Sequence, residues 1–346
     1  MREGIAFAGN LIVDQIRRLD RLPRRSELAT VRAIGRSTGG VCNSAIGFAI
    51  LDPHIPVQVF GAAGMDAEGA FILGELQRHG IRTDGIIRRG HSSFTDVYEE
   101  SETNCRTMFH FGGANDSLDV NDIDYSSLSQ RIFHMAYLLL LKTLDQPDDE
   151  YGSRMGRALS MARQAGCSTS LDIISEASDR YQTLARPTLR YVDYLMVNEL
   201  EAERITGVRL MRESSIPDPD GMHRALKELF RLGISEWGVI HTPAGAFGMD
   251  RKGSFVYEAG KKLPDSLIKG TVGAGDAFSA GVLLAAYRGL PLQQALRYGN
   301  ASAVRSLLGE TATESMLPIE EALAFYDSLP PQQSSLAFSQ DCRKAE

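Results

Sequence analysis

Residues 270–281 read GTVGAGDAFSAG. Three glycines, at 270, 273 and 275, fall within six residues, and Asp276 follows the last directly. Small and apolar residues then continue at helical spacing. Glycines at 273 and 275 let successive backbone N–H groups point into one concavity, and a helix start adds about half a positive charge there. That combination is an anion hole suited to phosphate. A carboxylate in such a place would repel phosphate if binding were its only purpose. It makes chemical sense as a base that takes the proton of a hydroxyl attacking phosphorus. The competing reading is an ordinary glycine turn, with Asp276 stabilising a helix start. The chain has no G-x-x-x-x-G-K-[ST] loop, so a phosphate binder here needs this other design.

The elements that must position this stretch are readable as an alternation. IAFAGNLIV (5–13) reads as a first strand. Residues 14–38 are polar and Arg- and Pro-rich, an excursion from the core. Helical spacing begins after Gly39, and VQVFGAAG (57–64) is a strand leading into a helix over 68–79. SSFTDVYEESETNCRTMFHF (92–111) alternates and is rich in Thr, Phe and Tyr, which predicts a hairpin turning near 102–104. Beyond it, strands are expected at 132–141, 168–174, 194–197, 237–242 and within 246–257. Helices are expected at 151–165, 199–206, 221–232, 274–288 and 292–308. The alternation implies an α/β fold: a doubly wound, mostly parallel sheet with helices on both faces, and a small β lid made of 14–38 and 92–113. The core is then 1–13, 39–91 and 114–328, and 329–346 is a loose Pro-, Gln- and Ser-rich tail. Ligands of such sheets bind at the carboxyl ends of the strands.

The chain has 346 residues, a net charge of −7 and 43% hydrophobic residues, enough to bury a sizeable core. Scattered charge with no basic stripe argues against nucleic acid. No apolar run reaches membrane-span length, and the start lacks a signal peptide's pattern, so no membrane and a cytoplasmic location are expected. Cys42, Cys105, Cys167 and Cys342 form no CxxC pair, which argues against zinc or a disulfide framework.

GTVGAGDAFSAG resembles the C-terminal signature, D-T-x-G-A-G-D, of the PfkB (ribokinase-like) family of sugar and nucleoside kinases. STGGVCNSA (37–45) is similar to that family's Gly-Gly-x-x-x-N substrate loop, and VFGAAGMDAEG to its next strand–turn–helix. RTMFHFGGAN resembles the return from its lid, and NELE (198–201) its N-x-x-E motif. The order of these five elements matches over nearly the whole chain. The resemblance implies an ATP- and Mg²⁺-dependent kinase of a small sugar. Asp276 would be the catalytic base, with Gly273, Ala274 and Gly275 completing the anion hole. Glu201 would act on Mg²⁺ through water, and Asn198 on nucleotide phosphate or metal-bound water. Asn10, Asp14, Gly39, Gly40, Asn43 and Arg106 would meet the substrate. Thr242, Gly245 and Asn300 would border the nucleotide. The lid would exclude water, and two lids would pair in a homodimer.

Departures from the pattern qualify this. The signature's first Asp is Gly270 here, which counts against activation by a monovalent cation such as potassium. Val41 stands where ribokinase-type loops carry Lys, which counts against ribose. HTPAGAFG lacks the usual T-x-G-x-x-G spacing. His134 and His241 are read as structural or loop-lining. A nucleoside or sugar-phosphate acceptor remains an alternative, since the lid excursion holds Arg17, Arg18, Arg24, Arg25, Arg32 and Arg36. A non-catalytic sensor is a further one. An NAD-dependent oxidoreductase would need G-x-G-x-x-G, which the glycines at 61, 64 and 69 do not supply.

Overall fold

In the first strand, β1 (Ile5–Gly9), Ile5 and Phe7 point to one side and Ala6 and Ala8 to the other, and all are fully buried. That is the pattern of a strand covered on both faces. The computed structural model describes residues 2–102, 105–212 and 216–332. Part of the expected hairpin turn, 103–104, and most of the expected tail, 333–346, lie outside them.

The run 5–13 is not one strand. It breaks at Asn10, and β2 (Leu11–Leu19) leaves for a second sheet. Gly9 has φ 132°, and a Cβ there would lie 1.7 Å from the Ala136 carbonyl oxygen. Only glycine permits this turn between sheets. β2 pairs antiparallel with β3 (Val31–Gly40) and parallel with β6 (Ser93–Glu100), which pairs antiparallel with β7 (Arg106–Phe111). These four strands, in the order β3-β2-β6-β7, form the lid.

The chain enters the core through α1 (Val41–Leu51), β4 (Val57–Ala63), α2 (Ala67–Arg78) and β5 (Arg82–Arg88). After the lid come β8 (Ile132–Leu138) and a two-residue hairpin, β9 (Pro147–Asp148) with β10 (Gly152–Ser153). Then follow α3 (Arg154–Gln164), β11 (Ser168–Ile173), the short α4 (Arg186–Thr188) and β12 (Tyr194–Asn198). α5 (Glu199–Thr206), α6 (Pro219–Leu232), β13 (Trp237–Thr242), β14 (Gly245–Asp250) and β15 (Phe255–Ala259) complete the sheet. α7 (Ala274–Tyr287), α8 (Leu292–Ser306) and α9 (Ile319–Ser328) close the described chain. The large sheet runs β15-β14-β13-β12-β11-β8-β1-β4-β5, parallel except for β14 and β15.

Two apolar cores flank it. One gathers α3 and α6 with Ala6 and Ala8, the other α1, α7 and α8 with Ile5 and Phe7. α7 is buried from Asp276 through Ala286, because it lies between α1, the sheet and α8. Residues 330 and 332 are tied by backbone bonds to Lys262 and Gly260. No helix among the described residues is long and apolar enough to cross a membrane. Cys42, Cys105 and Cys167 form no disulfide among the described residues.

Candidate active site

α7 begins at Gly273, whose φ of 82° lies in the left-handed region. A Cβ there would sit 2.1 Å from the Ala312 Cβ, so the turn requires glycine both conformationally and sterically. The first N–H groups of a helix have no partner within it. Here they belong to the half-buried residues Ala274 and Gly275 and to Asp276. Asp276 is the third residue of the helix and is buried.

Its carboxylate collects three neutral donors. Asn43 Nδ2 donates to Oδ2 at 3.1 Å, Ser44 Oγ to Oδ1 at 3.3 Å, and the Tyr137 hydroxyl also donates to Oδ1. Asn43 and Ser44 lie on the first turn of α1, which follows Gly39 and Gly40 directly. The glycines allow that approach. A Cβ on Gly39 would lie 2.7 Å from Asp14 Oδ2, and one on Gly40 2.4 Å from the Asn10 carbonyl oxygen. Thr38 donates to Asn43 Oδ1 and so turns the Asn43 amide toward Asp276. Burial pushes the Asp276 pKa up to about 6, against the pull of Tyr137, Asn43 and Ser44. Asp14 is pushed up to about 7, first by burial and then by the charge of Asp276. Neither carboxylate has a cationic partner among the described residues.

Asn10 serves this group indirectly. Its Oδ1 accepts the Tyr137 backbone N–H at 2.6 Å, and its Nδ2 donates to the Leu140 carbonyl at 3.4 Å. Both ends are engaged with backbone, so Asn10 sets the place of Tyr137. Arg106 lines a cavity of about 20 Å³ with Asp14, Asn43, Val97, Val272 and Ala312. That is room for about one water. The cavity shares Glu99, Arg106 and Glu310 with an outer pocket of about 760 Å³ between the lid and residues 265–271.

A second group stands at the carboxyl ends of β11 and β12. Asn198 caps α5: its Oδ1 accepts the Glu201 N–H, and Glu201 Oε2 accepts the Asn198 N–H, each at 2.9 Å. Ser175 and Asn198 Nδ2 donate to Glu201 Oε1. Glu201 is buried, and that burial raises its pKa to about 7. Asp172, at the end of β11, accepts from Ser279 of α7. Burial, then the charges of Glu201 and Asp276, hold its carboxyl well above the usual range. It therefore bridges the two groups electrostatically.

Thr242, Gly245 and Asn300 lie further along. The Thr242 hydroxyl donates to the Gly245 carbonyl and accepts from Ala244 N–H, which shapes the β13–β14 turn. Gly245 has φ 137°, and a Cβ there would lie 2.3 Å from the Glu258 carbonyl oxygen. Asn300 Nδ2 donates to the Glu258 carbonyl and the Tyr326 hydroxyl. His241 packs on Phe278, its ring 3.8 Å from where a Gly275 Cβ would stand, and burial lowers its pKa to about 4. His134 is buried with Nδ1 on Ser170, so both histidines stay neutral near pH 7.

Ser44, Tyr137, Asp172 and Ser175 were not singled out by the sequence. Asp172 did carry a signal: a charged residue inside an apolar strand is rarely buried without a role. Tyr137 carried none. As to Mg²⁺, the described residues contain no group of three His, Cys, Asp or Glu that could hold a metal ion. A lone buried carboxylate already held by Asn198 and Ser175 cannot chelate a bare ion. It fits an ion that keeps its water and takes its other ligands from phosphates.

A glycine-led helix start, a buried carboxylate and a four-stranded lid at the strand ends can be set beside known proteins. The family model described as pfkB family carbohydrate kinase matches residues 2–319. The ATP-dependent ribose-1-phosphate kinase of Halopiger xanaduensis is 25% identical, over 93% of this chain and 97% of its own. Ribokinase of Thermotoga maritima superposes with a TM-score of 0.76 at 19% identity, covering 94% of this chain and 100% of that one. Arabidopsis thaliana ribokinase complexed with ribose and ATP gives 0.74 at 20% identity, covering 94% and 99%. The two structures establish the fold, and the family match over most of the length establishes the kinship: this chain belongs to the pfkB family of carbohydrate kinases.

Proposed function

We propose that the protein transfers the γ-phosphoryl group of ATP to a hydroxyl of a small sugar, with Asp276 as general base. The observation that carries this is the environment of Asp276. It is a buried carboxylate at a glycine-led helix start, held by three neutral donors and, among the described residues, by no cation. A pKa of about 6 leaves it ionised at neutral pH yet able to take a proton. The N–H groups of residues 273–276 face the charge that develops on the transferred group. Asn43, Ser44 and Tyr137 hold the carboxylate in place without neutralising it. Glu201 and Asn198 would hold Mg²⁺ through water, and the ion, when bound, neutralises phosphate charge. The lid keeps water from competing with the sugar hydroxyl. The names of the Halopiger and Arabidopsis proteins support ATP as the donor.

A sugar phosphate as acceptor is the second reading. The Halopiger relative is named for one, and Arg18 and Arg106 line the outer pocket. Pairing of two lids is part of the proposal: Ile34 and Phe109 are at least 60% exposed on one face of the lid, on its edge strands β3 and β7. Light scattering should give twice the monomer mass, and Ile34→Glu should halve it.

The test is ADP release from Mg-ATP across fructose, ribose, other ketoses and aldoses, their monophosphates, and nucleosides. One strong acceptor is expected. Absence of both turnover and ATP binding would overturn the proposal.

A further inference from the structure

The inner wall of the lid is set by strand alternation. On β2 it carries Asp14, Ile16 and Arg18. Their partners on β6 are Thr95, Val97 and Glu99, and Glu99 faces Arg106 on β7. The wall thus runs from a carboxylate beside Asp276, through an apolar middle, to a charged outer end. Asp14 and Arg18 are four residues apart on one strand, about 13 Å.

The number of arginines in the lid suggests a site for an anion, but the two that line the outer pocket, Arg18 and Arg106, are both already paired. Arg106 Nη2 meets Glu99 Oε1 at 2.9 Å, and Arg18 Nε meets Glu99 Oε2 at 3.0 Å. Arg18 Nη2 reaches across to Glu310 of the core at 2.9 Å. Arg17 is paired with Asp96, and Arg32 with Asp20. The outer end thus holds a linked quartet of two cations and two carboxylates, and with Lys269, Glu100 and Asp265 the pocket wall carries three cations against four carboxylates. One buried donor is left over: Arg106 Nη1 has no hydrogen-bond partner among the described residues. A buried N–H left unpaired is costly, and buried polar groups rarely stay so without reason.

We propose that Arg106, held by Glu99, recognises an oxygen of the acceptor through this N–H, and that the acceptor so selected is uncharged where it meets the lid. This rests on the kinase reading above. A hydroxyl or carbonyl oxygen satisfies Arg106 Nη1 and leaves the quartet neutral. A phosphate or carboxylate would displace Glu99 or Glu310 from an arginine and leave that carboxylate unpaired. The displaced charge is a repulsive element against anionic acceptors. Asp14 and Asp276 at the deep end add to it, since neither has a cation among the described residues to offset it. Arg106 and Glu99 are therefore specificity residues, and Arg18–Glu310 is the lid–core bridge that re-forms when a neutral acceptor is enclosed.

The experiment compares matched acceptors on the wild-type protein by ADP release: each sugar of the panel against its own aldonic acid and against a monophosphate that leaves the attacked hydroxyl free. The neutral member is expected to have the higher kcat/KM by about tenfold or more. Arg106→Met should raise KM for that neutral sugar by about tenfold and leave KM for ATP unchanged. Glu310→Gln should narrow the gap by improving the anionic member. Preference for a phosphate or acid sugar in the wild-type protein would overturn this inference and leave the kinase reading standing. Unchanged KM in Arg106→Met would also overturn it. No ADP release with any acceptor, together with no acceptor binding by calorimetry, would bring down both.

Discussion

Replacing Asp276 by asparagine separates its proposed role as base from its role in the fold. Burial raises the Asp276 pKa from 3.8 to about 6. At neutral pH that is a cost to the folded state of roughly 3 kcal/mol, at ~1.36 kcal/mol per pKa unit. The folded chain holds this proton more tightly than the unfolded chain. Stability therefore falls as pH rises from 3.8 to about 6, and the loss is complete above that window. Asparagine has no charge to bury. Its oxygen can accept from Asn43, and its nitrogen can donate to Ser44 and Tyr137, whose hydroxyls are able to turn. Asp276→Asn is thus expected to be more stable than the parent at pH 8, by up to roughly 3 kcal/mol, with the difference closing at low pH. Removing the charge also relieves Asp14, whose pKa should fall from about 7. Activity should move the other way: kcat should drop by about 10²–10⁴, the usual contribution of a positioned base. Urea unfolding at low and high pH measures the first effect, and ADP release at saturating sugar the second. Turnover within about tenfold of the parent would refute the base. A stability difference that ignores pH would refute the burial argument.

Three further changes probe its surroundings. Tyr137→Phe removes a donor that favours the ionised carboxylate, so the acid limb of the pH–rate profile should move to higher pH while the fold persists. Gly273→Ala forces a Cβ into the left-handed region and against Ala312. It should lower the urea midpoint by an amount equal to about 2 kcal/mol or more and weaken ATP binding measured by calorimetry. Glu201→Gln should raise the Mg²⁺ concentration needed for half-maximal turnover by about tenfold or more, with little change in KM for sugar.

The sheet, its helices and the lid were legible because each rests on local chemistry. NELE contains both halves of the Asn198–Glu201 cap, so the helix start and the close approach of the two side chains follow from one short motif. WGVIHT is strand throughout, being a buried β-branched run bounded by turn residues. The run 5–13 misled because its apolar pattern continues smoothly through a change of sheet. Only the contact of Gly9 with Ala136, distant in sequence, forces the break. β5 was missed because Arg82, Asp84 and Arg88 give an edge strand a loop's composition. In the site, Asn43 and Asp276 were legible from motif glycines. Their meeting with Tyr137 was not, because a tyrosine inside an apolar strand looks like core. Asn10 shows the same limit: its bonds to two backbone groups, Tyr137 N–H and the Leu140 carbonyl, cannot be read from its type.

The break at Asn10 has a consequence for re-engineering. Leu11 pairs with Gly40, so the two lid strands begin one residue from Asn10 and one residue from α1. Asn10 places Tyr137, and α1 carries Asn43 and Ser44, so the splice points of the lid coincide with the supports of Asp276. A chimera that exchanges the lid wholesale would therefore disturb the Asp276 carboxylate as well as the lid's inner wall. One that keeps 9–14 and 37–44, and grafts only the intervening strand ends and tip, should change which sugar is accepted while conserving the machinery that acts on it.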